Sequence, residues 1–193
     1  MSALPQIQRD KMGITLYDQV MLHAKGDRND HLLAVMLSSW IKGEGVLPQY
    51  FGLDKSNFDE LMRTHFPGLR ISQSVRENEI IDIDRMLERD DLIKLLQAYR
   101  ANVSRTEIWI AEIITMACLG SNHLWQDLGL WDRSQLSNLI SKNFPDLYAK
   151  NTKNMKWKKF LYKQLCSEEG IYICRSPSCE VCAEYTQCFG PEE

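Results

Sequence analysis

Four cysteines, Cys174, Cys179, Cys182 and Cys188, fall within fifteen residues near the end of the 193-residue chain, spaced C-x4-C-x2-C-x5-C. Thiolates that close repel one another unless a cation compensates them, so the segment reads as a site for a metal ion or an iron-sulfur cluster. Structural zinc usually takes its four cysteines as two C-x2-C knuckles on a longer linker, and only Cys179 and Cys182 form such a pair. Cys174, Cys179 and Cys182 instead follow C-x4-C-x2-C, the opening of a plant-type ferredoxin loop, although the fourth cysteine there normally lies far away. The spacing therefore ranks an iron-sulfur cluster first, a zinc ion second and redox thiols third. Arg175 and the loop amides are placed to donate hydrogen bonds to cluster sulfides, and Pro177 stiffens the arc between the first two ligands.

The other two cysteines read differently. Cys118 lies in an apolar helical run and reads as core, whereas Cys166, eight residues before Cys174, reads as a buried thiol with a fifth ligand as the alternative. Lysines 150, 153, 156, 158, 159 and 163 lead into the tail, interleaved with Trp157, Phe160, Leu161 and Leu165. A helix over about 154–166 gathers those four apolar residues on one side and Lys156, Lys159 and Lys163 on another, so that the helix docks the tail onto the rest of the chain. A second reading of the lysines is a positive surface for an anion or an acidic partner.

The elements that carry this tail repeat. Displaced by about 77 residues, Leu47-Pro48-Gln49-Tyr50-Phe51-Gly52-Leu53 falls on Leu124-Trp125-Gln126-Asp127-Leu128-Gly129-Leu130. After a one-residue insertion Asp54 falls on Asp132, and Phe66-Pro67 on Phe144-Pro145. Ser104 to Glu107 forms a capping-box pattern before the apolar run 108–119, and Asp27 with Asp30 stands before the run 32–41. Gly43 and Gly120 mark the stops, and Asp54 and Asp132 are N-caps of shorter amphipathic helices. Trp40, Phe58, Trp109 and Leu136 fall at core positions of these helices. No segment alternates convincingly as a strand. The fold class is all-α, a tandem duplicated helical repeat of about six or seven helices with an irregular cysteine-rich tail. The domains expected are a body over 1–148, built from repeats at about 15–70 and 92–148, and a lysine-rich helix with its metallocluster-binding tail over 149–193.

Composition narrows the function. Hydrophobic residues make up 44% and charged residues 25%, a globular balance. A net charge of −3 and the absence of a nucleic-acid-binding motif argue against nucleic acid as a partner. No apolar run is long enough to span a membrane and the first residues carry no secretory pattern, so the expected location is the cytoplasm, where clustered thiols hold metal more often than disulfides.

Three stretches together resemble the NifQ family of nitrogen-fixation proteins: Gly120-Ser121-Asn122-His123-Leu124-Trp125-Gln126-Asp127-Leu128-Gly129-Leu130, Asn154-Met155-Lys156-Trp157-Lys158-Lys159-Phe160, and the cysteine segment with its end, Cys188-Phe189-Gly190-Pro191-Glu192-Glu193. The resemblance covers at least residues 104–193. It implies an iron-sulfur cluster that incorporates molybdenum, with Cys174, Cys179, Cys182 and Cys188 as ligands, and a metal carrier rather than a turnover catalyst. It also implies delivery to the assembly machinery of the nitrogenase iron-molybdenum cofactor, with the assembly scaffold and the nitrogenase iron protein as partners and molybdate or reduced molybdenum as cargo. His123, within the matching segment, is the one candidate ligand outside the cysteines, against a capping or packing role. His23, His31 and His65 show no metal-binding spacing. Two other functions remain open on the same cysteines, an iron-only electron-transfer protein and a zinc-stabilised interaction module.

Overall fold

The computed structural model describes residues 14–71 and 88–168, and every regular element among them is helical. The first copy runs α1 (Leu16–Met21), α2 (Asp30–Ile41), a 3-10 turn (Gln49–Gly52) and α3 (Lys55–His65). The second repeats that order as α4 (Arg89–Ala98), α5 (Thr106–Ala117), the short α6 (Leu124–Asp127) and α7 (Arg133–Asn143), followed by α8 (Pro145–Lys150) and α9 (Trp157–Glu168). The duplication extends to the ends of the helices. Asp54 accepts the Asn57 N–H at the start of α3, and Asp132 accepts the Gln135 N–H at the start of α7. Both helices end on a phenylalanine of nearly the same backbone conformation, Phe66 at φ −132°, ψ 60° and Phe144 at φ −137°, ψ 61°. The single inserted residue is Trp131, half exposed and edge-on to Tyr17 at 5.2 Å.

Each long apolar helix is the centre of its copy: α1 packs on α2, and α4 on α5. Trp40, Phe58, Trp109, Leu136 and Cys118 are buried, as their helical spacing requires. Trp40 satisfies its indole N–H on the Pro48 carbonyl at 3.0 Å and Trp109 on Asn57 Oδ1 at 3.2 Å, so neither leaves a buried donor open. The copies are stitched by two equivalent cross-links. His65 at the end of α3 meets Thr106 at the start of α5, Nε2 to Oγ1 at 2.9 Å. Asn143 at the end of α7 and Asn29 beside α2 exchange side-chain amide hydrogen bonds of 2.9 and 3.1 Å. An acid in the first turn of each long helix ties down the loop before it. Asp30 accepts from the Gly26 and Asp27 N–H groups, and Glu107 from those of Asn102, Val103 and Ser104.

Several local details differ from the sequence reading. Nine α-helices are found among the described residues rather than six or seven, because α6 and α8 are too short to show periodicity. Pro145, two residues past the end of α7, opens α8, since its missing N–H costs nothing at a helix start. The lysine-rich helix begins at Trp157, not near Asn154, because Asn154 sits at φ 50° and Asn151 closes a loop by bonding both the N–H and the C=O of Met155. Only the glutamate half of the Ser104/Glu107 capping box forms, and the Ser104 hydroxyl has no hydrogen-bond partner. Gly43, at φ +81°, is a glycine helix stop. Gly120 is not left-handed; it is glycine because a Cβ there would run into the Asp127 carboxylate.

Candidate metal centre

Cys174, Cys179, Cys182 and Cys188 lie outside the described residues, and the structure shows what leads up to them. The carrier is α9, whose last residue, Glu168, stands six positions before Cys174. Trp157, Phe160, Leu161, Tyr162 and Leu165 bury against the body, where α9 packs on α4, and Trp157 stacks on Tyr148 at 5.9 Å. The helix therefore docks on the second copy through the residues that its amphipathic spacing selects.

One lysine of the run goes inward. The Lys158 side chain retains 13% of its exposure and its ammonium donates to the Gly120 carbonyl at 2.7 Å and to the Asp127 carboxylate, which is fully buried. Asp127 receives a further bond from Asn122 Nδ2 at 3.3 Å, and its backbone carbonyl accepts the Val46 N–H of the first copy at 2.9 Å. Gly45, at φ +71°, lets the two backbones meet there. Asp127 thus joins three parts of the molecule, the loop after α2, the corner between α5 and α6, and α9. Lys150 is also engaged, over the Tyr99 ring at 4.3 Å.

Of the remaining sequence candidates, Cys166 sits half-buried on the last turns of α9. Cys118 is fully enclosed beside the Asp127–Lys158 pair, and burial pushes its thiol up to about 12, so it is a neutral core thiol rather than a thiolate ligand. His123 is exposed at the start of α6, with its backbone N–H on Gln126 Oε1 at 3.1 Å. Its relation to the four cysteines lies outside the described residues.

A second group of metal-binding residue types was invisible in the sequence. Potential ligand atoms of Asp27, Asp30 and His65 lie within 4.8 Å of one another, with His65 and Asp30 buried. Their hydrogen bonds assign them to the fold. One Asp30 oxygen holds the Gly26 and Asp27 N–H groups, and the other meets His65 Nδ1 at 2.6 Å. Asp27 accepts the Asn29 N–H at 2.8 Å, and the far side of the imidazole meets Thr106. The group is a polar clamp between the copies.

The family model for NifQ matches residues 32–190, a span that takes in the first copy from α2 onward, the whole of the second copy, α9 and all four cysteines. The chain belongs to the NifQ family. It is 43% identical over 178 residues to the protein NifQ of Azotobacter vinelandii, covering 86% of this chain and 91% of that one. It is 52% identical over 154 residues to the protein NifQ of Klebsiella pneumoniae, covering 76% and 90%. A NifQ homolog of Sinorhizobium fredii is 35% identical over 171 residues, covering 86% and 74%. No solved structure matches the chain. Among the described residues of this NifQ-family chain, no helix is long and apolar enough to cross a membrane. Asp127 lies inside one of the stretches that carried the resemblance and Lys158 inside another, the one signal by which their pairing was within reach of the sequence.

Proposed function

We propose that this NifQ-family protein serves nitrogen fixation as a cytoplasmic metal carrier, holding an iron-sulfur cluster on Cys174, Cys179, Cys182 and Cys188 and donating molybdenum for the nitrogenase iron-molybdenum cofactor. The single observation behind the reading is membership of the family over a span that includes those cysteines at their C-x4-C-x2-C-x5-C spacing. The donor set fits such a group, because four thiolates suit iron and a reduced, sulfide-bound molybdenum better than free molybdate, an oxyanion. When bound, the cluster would supply sulfide ligands to iron and molybdenum alongside the cysteine thiolates. The chain's own part is to supply the thiolates on a short tail and to seat that tail on a helical body. Its partners in this reading are the cofactor-assembly scaffold and the nitrogenase iron protein, and it performs no turnover of its own.

Anaerobic quantification of iron, molybdenum and acid-labile sulfide per chain, in protein from cells fixing nitrogen, tests the reading. Iron and sulfide with molybdenum are expected. Iron and sulfide without molybdenum would make this an electron-transfer protein, and one zinc with no sulfide an interaction module.

A further inference from the structure

We infer that the buried Asp127–Lys158 pair is a register latch for α9, fixing the rotation and axial position at which the helix delivers the cysteine tail. The inference rests on the metal-carrier reading above for its functional consequence, and on the described residues for its geometry.

Apolar packing alone leaves the seat of α9 loosely specified. Phe160, Leu161 and Tyr162 are consecutive and all buried, so at 100° per residue the inward face spans about 200° of the helix. A turn of a whole residue either way would bring Lys159 or Lys163 to a place held by an apolar side chain, so packing sets α9 to within a residue and leaves smaller rotations and slides to be set by other contacts. The ion pair opposes those. Asp127 is fully buried, and its side-chain partners are the Lys158 ammonium and Asn122. A turn or slide that draws the ammonium away leaves a buried carboxylate without its counter-charge, at far greater cost than repacking. The receiving side is equally fixed: the Gly120 carbonyl takes a second bond from the same ammonium, Gly120 can carry no Cβ, and the Asp127 backbone is bonded to Val46 of the first copy. Directional contacts therefore set the start of α9, and a rigid helix carries that setting to Glu168, six residues before the first ligand. Lys158 and Asp127 are positioning residues, acting on the metal centre through the helix.

The test uses the full chain, purified anaerobically with its cluster. Lys158→Met and Asp127→Asn should keep their helical circular dichroism, broaden the electron paramagnetic resonance signal of the cluster, and release iron to a chelator about tenfold faster, no more than the low end of what is lost with a group bonded directly to a metal ligand. Lys158→Arg, which keeps the charge, should restore most of both. Leu165→Ala is the control: it loosens α9 through lost packing alone and should lower the melting temperature without changing the signal or the release. Release as fast from Leu165→Ala as from Lys158→Met, or parental behaviour in Lys158→Met, would overturn the latch. If the single variants do not fold, Asp127→Asn/Lys158→Met together leave no buried charge, and a parental signal and release rate there would be equally fatal. Hydrogen exchange across α9 needs no metal: it should rise in Lys158→Met even if the parent holds no cluster, an outcome that would sink the carrier reading but not the latch.

Discussion

Glu107→Gln changes no volume but removes the charge around which one end of the body is organised. The Glu107 side chain is fully buried, and five donors converge on its two oxygens. Oε1 takes Arg28 at 2.8 Å, Val103 N at 3.0 Å and Ser104 N at 3.3 Å; Oε2 takes Asn102 N at 2.8 Å and Arg100 Nε at 3.4 Å. A glutamine has one accepting oxygen, so whichever way its amide turns, at least two of these donors face an NH2 group. Breaking a buried ion pair costs about 3–5 kcal/mol, but Arg28 and Arg100 keep 31% and 23% of their side-chain exposure, and water recovers part of that. Orphaned backbone donors add about 1–3 kcal/mol where water cannot reach them. A net loss of about 3 kcal/mol is expected, out of a total of about 5–15 kcal/mol for a domain. For a chain of this size that lowers the melting temperature by about 6–12 °C. Urea unfolding followed by far-ultraviolet circular dichroism measures it, with the midpoint falling and the slope unchanged. A loss below about 1 kcal/mol would show that the loop before α5 and the two arginines are held by something other than this carboxylate.

Two further outcomes are expected. Asp54 and Asp132 have carboxyls held below the ordinary aspartate value, Asp54 chiefly by the Asn57 N–H and Asp132 chiefly by the Ser134 hydroxyl. Because both values are depressed in the fold, their contribution is complete above the ordinary value of 3.8 and is lost as pH falls through the folded values. Asp54→Asn/Asp132→Asn, which keeps both caps without the charge, should flatten that acid limb of the stability profile in urea melts, and an unaltered limb would refute it. Cys118, with its thiol near 12, should react with iodoacetamide at pH 8 about a thousandfold more slowly than an unperturbed cysteine, read by peptide mass spectrometry. Labelling as fast as an exposed thiol would mean that the region around α5 opens far more readily than its packing allows.

The parts of the fold that were legible in the sequence are those with local causes. Asp54 and Asp132 cap α3 and α7 through N–H groups only three residues further on, and the apolar runs of α2 and α5 announce their own burial. What stayed hidden depends on distance along the chain. His65 has no spacing to recommend it because its partners Asp30 and Thr106 lie 35 and 41 residues away. Lys158 reads only as one more member of the lysine run because the acid that it pairs with is 31 residues upstream. For the proposed metal centre the cysteine spacing and its flanks were themselves the signal, and no periodicity could have indicated that the helix leading to it is held by charge as well as by apolar packing.

The duplication explains why the tail helix sits where it does. In the repeat register Asp127 corresponds to Tyr50, a half-buried aromatic at φ 58° in the 3-10 turn of the first copy. That turn offers no carboxylate at the place where the second copy has one. In the second copy the same place has become the helical turn α6, with a buried acid at its end and a glycine facing it. Burying that acid alone would be strongly unfavourable, and among the described residues Lys158 of α9 supplies its counter-charge. The two copies therefore share a framework but not a role. The first braces the body through Val46 and the His65 clamp, while the second has acquired the charged socket that selects where α9, and with it the cysteine segment, is attached.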